Sequence, residues 1–230
     1  MSSHESTVSS PESMGFDPQP GDEKLTTAIL SDSCDAVGLR NQVCEHRLAP
    51  LVPGSRAIGR ARTVRFAPST VVDPDDPYRD AIDFIDSVRA GQMVMIATDQ
   101  SNGSAFWGEL FSAAALGARA AGVVTDGNLR DTDRIAALGF PAFSRSRRPI
   151  DFRARLQVVE SDEAVVIGGV RVELGAIVMA DDDGVVVVPR EQESDVLALA
   201  RERAARESTV LAELLAGESL RAVWDRHRVL

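Results

Sequence analysis

Lysine is all but missing from this chain of 230 residues: Lys24 stands alone, so positive charge rests almost wholly on arginine. A Schiff-base enzyme needs a desolvated lysine nucleophile, and Lys24 lies at the edge of a polar N-terminal segment. The same scarcity removes the phosphate-gripping lysine of a P-loop, and no G-x-x-x-x-G-K-[ST] run occurs. Histidine is nearly as rare. His4, His46 and His227 lie far apart and form no H-E-x-x-H pair, which leaves zinc without its usual ligands. Cys34 and Cys44 are the only thiols; they read as small reduced residues packed on or near a helix. Gly103-Ser104 lacks the G-x-S-x-G elbow of a serine nucleophile. No run approaches the ~18 apolar residues needed to cross a bilayer, and the N-terminus has no apolar signal region, so the expected location is cytoplasmic. A formal charge of −10 disfavours nucleic-acid backbones, which call for a basic face. Arg145, Arg147, Arg148, Arg153 and Arg155 do cluster, and read as a solvated loop or a contact with an acidic neighbouring subunit.

The length suits one domain, and 44% hydrophobic residues can fill its core. Residues 1–22, rich in Ser, Pro, Glu and Gly, read as a disordered tail, and residues 23–230 as a single domain whose segment 190–230 is helical. Helices are expected from Leu25 to Val37, from Tyr78 to Ala90 and from Glu191 to Leu215, and Ser219 can cap a last short one. Ala57 to Phe66 reads as a strand. Several short apolar runs between Val158 and Val188, separated by Gly and Asp turns, suggest a second sheet layer.

The informative region lies between. Met93-Val94-Met95-Ile96-Ala97 and Gly122-Val123-Val124-Thr125 are strand-length apolar runs. Between them, Leu110, Phe111, Ala114, Ala115 and Ala118 recur at helical spacing. Strand, helix, strand at this length is a βαβ unit with parallel strands and a right-handed crossover. Residues 99–108 and 126–131 then leave two strands at their carboxyl ends, where open α/β sheets place ligands. A helix starting near Gly108 leaves the N–H groups around Glu109, Leu110 and Phe111 outside the helical ladder, a ready site for a carboxylate. Arg130 offers a guanidinium fork for a carboxylate or enolate oxygen. Asp131 offers a hard oxygen ligand to Mg²⁺ or Mn²⁺.

Gly108-Glu109-Leu110, Gly122-Val123-Val124-Thr125-Asp126-Gly127 and Leu129-Arg130-Asp131 together resemble the signature of the RraA-like proteins, which include the 4-hydroxy-4-methyl-2-oxoglutarate aldolases. Ser33-Cys34-Asp35-Ala36, Gly168-Gly169-Val170 and Ala180 to Pro189 extend the likeness over about residues 24 to 220. The resemblance implies a layered swivelling β/β/α domain with a long C-terminal helix, assembled as trimers or hexamers with sites at subunit boundaries. It implies a metal-dependent lyase that cleaves a 4-hydroxy-2-oxo acid, such as 4-hydroxy-4-methyl-2-oxoglutarate or 4-carboxy-4-hydroxy-2-oxoadipate, to release pyruvate. Oxaloacetate decarboxylation is the expected second activity. Asp131 would be the direct protein ligand of Mg²⁺ or Mn²⁺, Arg130 would hold the oxo acid, and amides near Leu110 and Phe111 would bind its carboxylate. Glu109 would act through a metal-bound water. Glu207, or Glu202 one turn away, would reach a neighbouring subunit's site. Two departures stand out: aldolases often carry Asp where this chain has Glu109, and Leu174-Gly175-Ala176 replaces the usual Pro-Gly-Asp.

Each residue also has a plainer account. Asp131 or Thr132 can simply cap the helix through Ile135 and Leu138, and Glu109 can be an ordinary first-turn acid favoured by the helix dipole. The rival function is non-catalytic, a regulator of the same family type that binds and inhibits a ribonuclease; a metal-free dicarboxylate binder is a third reading.

Overall fold

The computed structural model describes residues 15–45 and 48–229. His4 and His46 lie outside them, as does most of the expected N-terminal tail. Among the described residues the α-helices and strands follow in order: α1 (Thr27–Ala36), β1 (Ala49–Pro50), β2 (Ala57–Pro68), α2 (Arg79–Asp86), β3 (Gln92–Ala97), β4 (Ala105–Trp107), α3 (Glu109–Gly117), β5 (Gly122–Leu129), α4 (Thr132–Leu138), β6 (Ala142–Arg147), β7 (Leu156–Ser161), β8 (Val165–Ile167), β9 (Val170–Val172), β10 (Ile177–Ala180), β11 (Val185–Val188), α5 (Glu193–Leu215) and α6 (Leu220–His227).

The βαβ unit is present: β3 and β5 pair in parallel, Met93 opposite Gly122 and Ile96 opposite Thr125. Every residue of both strands is buried, as befits parallel strands covered on both faces. A nine-stranded sheet runs β1-β6-β5-β3-β2-β10-β11, with β4 added on β5 and β7 on β2. The expected second layer is therefore corrected. Of the late strands, β7, β10 and β11 belong to the main sheet, and β8–β9 alone forms a separate hairpin. The long β2 makes this possible. Its first residues pair with β10 and its last with β7, so the sheet curls instead of splitting.

One face of the sheet packs Phe66, Val94, Ile96, Val123 and Leu129 against α2, α3 and α4; the other packs Met93, Met95, Val124 and Val178 against the β8–β9 hairpin. A third cluster joins α1 and α5 to β10 and β11 through Leu30, Met179, Val186, Val196 and Ala200. Thr26 caps α1 by accepting from the Ile29 N–H at 3.1 Å, and Ser219 caps α6 as expected. Helix α2 stops at Asp86, short of the expected Ala90. The Ser87 hydroxyl donates to the Phe84 carbonyl at 2.6 Å, a local bond that competes with the helical ladder.

Residues 15–22 correct the tail expectation where they are described. Phe16 is buried, and Asp22, only 3% exposed, receives Arg201 at 2.7 Å and 3.1 Å. Burial raises the Asp22 pKa, but the Arg201 guanidinium and the Gln19 N–H outweigh it and hold the group below its ordinary 3.8. A depressed carboxylate stabilises the fold above its ordinary value, and that contribution is lost as pH falls through the folded value. Arg201→Ala should cost about 3 kcal/mol at neutral pH by stranding a buried charge. The gap to wild type should narrow well below the ordinary 3.8. Urea unfolding at the two pH values measures both, and an equal gap at each would refute the assignment.

Both thiols are buried and free. Burial, first of all, pushes Cys34 up to about 11 and Cys44 up to about 12, which makes both unreactive in the folded chain.

Candidate functional site

Strand β3 ends at Ala97, and the chain then turns through Asp99 and Gln100, both at positive φ (51° and 59°). Asp126 holds this turn. Its buried carboxylate accepts from the Thr98 N–H at 2.7 Å, the Thr98 hydroxyl at 2.8 Å and the Gln100 N–H at 3.1 Å. Burial raises the Asp126 pKa against those three bonds, so ionising it costs the fold some stability. The chain returns as β4, a short strand beside the end of β5 with Ala105 opposite Asn128 and Trp107 opposite Leu129.

Two sequence expectations are corrected here. Residues 99–108 do not simply leave the sheet, because they contain β4. Residues 126–129 do not leave it either, since β5 runs on to Leu129. The two segments are thereby stitched together, and the Arg130 N–H donates to the Trp107 carbonyl at 2.9 Å.

Gly108 opens α3 without any side-chain cap. The first helical bond runs from the Ser112 N–H to the Gly108 carbonyl at 3.1 Å, so the N–H groups of Glu109, Leu110 and Phe111 precede the ladder. The Trp107 indole N–H donates to the Ser112 hydroxyl at 2.7 Å, and that hydroxyl donates to the Gly108 carbonyl at 3.0 Å. Two buried side chains thus hold the helix start against β4.

Asp131 sits at the N-cap of α4 in the left-handed region (φ 54°), yet its side chain makes no cap bond. The plain capping account is therefore not how its carboxylate is used. Asp131 Oδ2 instead lies 3.3 Å from Arg130 Nε, and Arg130 reaches on to Asp151 Oδ1 at 3.2 Å. Asp151 in turn accepts the Tyr78 hydroxyl at 2.5 Å and the Phe152 N–H at 2.9 Å. The Asp151 carboxylate accepting its proton, with burial second, holds Tyr78 above the usual phenol range. Arg130 is 35% and Asp131 42% exposed, so both heads reach solvent.

Around them opens a cleft of about 490 Å³ lined by Tyr78, Ile82, Phe106, Gly108, Glu109, Leu110, Phe111, Arg130, Asp131, Asp151 and Phe152. Both halves of the motif meet on one cleft, as their placement on β3 and β5 implied. Sequence reasoning missed Asp151 and Tyr78. Asp151 arrives through tertiary pairing, as the parallel bridge partner of Ala105, and no local spacing signals that.

Glu207 does not line this cleft within one chain. It receives Arg203 Nε at 2.8 Å along α5, while Glu202 receives Arg206 at 3.2 Å. Part of the arginine cluster braces loops: Arg145 donates to Gln100 Oε1 at 2.9 Å, Arg147 to the Leu51 carbonyl at 3.2 Å and Arg148 to the Asn102 carbonyl.

Among the described residues, no three His, Cys, Asp or Glu side chains converge as a ready cation cage. The donor set suits a cation that keeps water. Asp131 presents a half-open carboxylate whose one ion pair, to Arg130, is long at 3.3 Å. Mg²⁺ is commonly held by one or two carboxylates, with water and substrate oxygens completing its shell.

A mixed sheet whose parallel centre ends at an arginine between two aspartates, beside an uncapped helix start, defines an α/β protein of the open-sheet kind, the kind whose ligands lie at that edge. Residues 27–187 match the family described as RraA-like, Aldolase/RraA, and the chain belongs to that family. It is 28% identical over 181 residues to a protein of Halalkalibacterium halodurans named "Putative 4-hydroxy-4-methyl-2-oxoglutarate aldolase", covering 79% of this chain and 80% of that one. It is 27% identical over 171 residues, 74% of this chain, to protein DlpA of Legionella pneumophila, of whose length it spans 27%. Among solved structures, an uncharacterized protein from Pseudomonas syringae superposes with a TM-score of 0.78 at 28% identity, covering 88% of this chain and 94% of that one. Among the described residues no helix is long and apolar enough to cross a membrane.

Proposed function

We propose that this protein is a lyase that cleaves a 4-hydroxy-2-oxo acid between C3 and C4 and releases pyruvate. The observation that carries it is Arg130, held between Asp131 and Asp151 at 3.3 Å and 3.2 Å and facing the uncapped start of α3 across one cleft. Membership of the family described as Aldolase/RraA, and likeness to a relative named "Putative 4-hydroxy-4-methyl-2-oxoglutarate aldolase", support the same reading.

In this scheme the N–H groups of Glu109, Leu110 and Phe111 receive the substrate carboxylate, where the helix start carries partial positive charge. Arg130 faces the 2-oxo oxygen. Glu109, through a water, takes the proton from the 4-hydroxyl. The C3–C4 electron pair then moves into C2–C3, so the oxo oxygen gains charge as an enolate while C4 becomes a carbonyl. Arg130 stabilises that charge where it develops. A proton returned to C3 completes pyruvate. Mg²⁺ or Mn²⁺ beside Asp131 would supply Lewis-acid polarisation of the carboxylate and oxo oxygens. Oxaloacetate decarboxylation passes through the same enolate and belongs to the same proposal. So does assembly as a trimer or hexamer in which Glu207 or Glu202 completes a neighbour's site. A ribonuclease-masking surface would need neither the arginine nor its carboxylate partners.

The test couples pyruvate release to lactate dehydrogenase, with and without a chelator, and follows Mn²⁺ binding by its paramagnetic signal. Chelation should abolish turnover, and Asp131→Ala should weaken Mn²⁺ binding by at least about tenfold. Unchanged Mn²⁺ affinity in that variant would remove Asp131 as the ligand, whatever the activity.

A further inference from the structure

A guanidinium is planar, and a single contact fixes one point of it without fixing its plane. Asp131 Oδ2 meets Arg130 at Nε, 3.3 Å away, and in the proposed scheme that carboxylate also faces the cation. The plane is set at a second edge, where Asp151 Oδ1 lies 3.2 Å from Arg130 Nη1. The aim of the arginine therefore depends on Asp151.

The Asp151 carboxylate is itself held at both oxygens. Oδ1 also accepts the Phe152 N–H at 2.9 Å, and Oδ2 accepts the Tyr78 hydroxyl at 2.5 Å. A hydroxyl donating to a carboxylate at this distance makes a strong, directional bond. The backbone of Asp151 rides on the strands that carry Arg130. The Ala105 N–H donates to the Ile150 carbonyl at 2.7 Å, Ala105 bridges Asp151, and β4 pairs with the end of β5. Tyr78 is anchored from two sides. Its carbonyl accepts the Ile82 N–H at 2.9 Å as α2 begins, and its ring meets Phe152 edge-on at 5.4 Å, with Phe152 in turn against Phe66 and Phe106. Phe66 is fully buried, so this stack ends in the core. Every one of these contacts lies within one chain, and none depends on what a neighbouring subunit brings to the cleft.

We propose that Asp151 and Tyr78 are positioning residues of this site: Asp151 sets the plane of the Arg130 guanidinium, and Tyr78 acts through Asp151 by fixing the direction of its carboxylate. Neither moves a proton in the proposed scheme; both act on Arg130. The orientation stands on the contacts alone, whereas its consequence for rate rests on the lyase reading.

Arg130 is followed directly in the full chain, without substrate, by ¹⁵N relaxation of its Nε–H, assigned by the loss of that signal in Arg130→Lys. In the wild type this group should be ordered. In Asp151→Asn, which keeps the size and shape of the side chain, its order parameter should fall below about 0.6, the flexible range. Tyr78→Phe keeps the ring and removes only the hydroxyl, and should give a smaller fall. The double variant should match Asp151→Asn, because the hydroxyl works only through the carboxylate. Pyruvate release should follow the same order, with kcat about tenfold lower in Asp151→Asn and KM within about threefold of wild type. A disordered Nε–H in the wild type, or an unmoved one in Asp151→Asn, overturns the proposal. So does an additive loss in the double variant, which would give Tyr78 a role of its own. A raised KM and lowered melting temperature at unchanged kcat would make both residues merely structural and overturn it too. Should Asp151→Asn not fold, Tyr78→Phe decides by the same signal, since its ring packing is intact. A loosened arginine in the variants while the wild type releases no pyruvate removes the lyase reading and leaves the orientation standing. Normal kcat beside a loosened arginine keeps the lyase reading and ends the positioning role.

Discussion

Arg130→Ala should lower kcat for the proposed pyruvate release by at least about 10²-fold, the typical cost of removing one preorganised stabiliser of developing charge. The effect should fall mainly on kcat, because the oxo oxygen carries its full charge only as the C3–C4 bond breaks. Stability should change by less than about 1 kcal/mol, since the ion pairs of Arg130 with Asp131 and Asp151 are partly exposed and such pairs contribute little. A variant that keeps its melting temperature and loses turnover isolates the chemistry from the fold. Arg130→Lys should recover only part of the rate. A single ammonium cannot span both carboxylates and still present a planar fork. Near-normal turnover of Arg130→Ala would end the lyase assignment.

Gly108→Ala should be almost as damaging while adding only one methyl group. The backbone there is extended (φ −149°), so alanine meets no conformational penalty. The difficulty is space. A Cβ at position 108 would stand 2.8 Å from Asp131 Oδ2, 3.0 Å from Arg130 Cγ and 3.4 Å from Arg130 Nε. All three atoms belong to side chains that can swing away, so the chain folds, but the swing moves the two groups on which the proposed chemistry depends. Displacement by about 1 Å commonly costs on the order of 10²-fold in rate. We expect kcat/KM to fall by one to two orders of magnitude (~10- to ~100-fold) with a melting temperature close to wild type. A crystal structure of the variant should show Asp131 and Arg130 turned from their present positions. Retained activity in a folded Gly108→Ala chain would mean that neither side chain needs its present place.

That glycine marks how far local pattern carries. Apolar run length and helical spacing were enough to predict β3, α3 and the parallel β5, because each buries its apolar positions by its own periodicity. They were also enough to bring Glu109 and Arg130 to the same edge of the sheet, since parallel strands joined by a crossover place their carboxyl ends together. The late strands were legible one by one but not in their partnership. Whether β10 joins β8 or β2 depends on the length of β2, which runs past Phe66 to Pro68 and offers its outer edge twice.

The site shows the same division. Arg130 and Asp131 were visible as an adjacent pair, whereas their orientation was not. The left-handed backbone of Asp131 and the short β4 beside β5 set that orientation. Two half-buried residues of the cleft carry no readable periodicity. Tyr78 and Asp151, separated by 73 residues, meet at 2.5 Å because α2 and the segment after β6 converge over Phe106. The N-terminal segment looked unstructured from composition, yet Phe16 and Asp22 find partners on the body of the fold.

Read along the chain alone, the amino acids settle that β3, α3 and β5 form, which chemistries lack their lysine, histidine or cysteine, and that Arg130 and Asp131 stand side by side at the end of β5. Folding settles which groups share a cavity, which carboxylates hold the arginine, and that the wall beyond it is aromatic. Periodicity is a short-range property written in neighbouring residues, while convergence of distant side chains depends on sheet order and strand length, which arise only when the whole core packs.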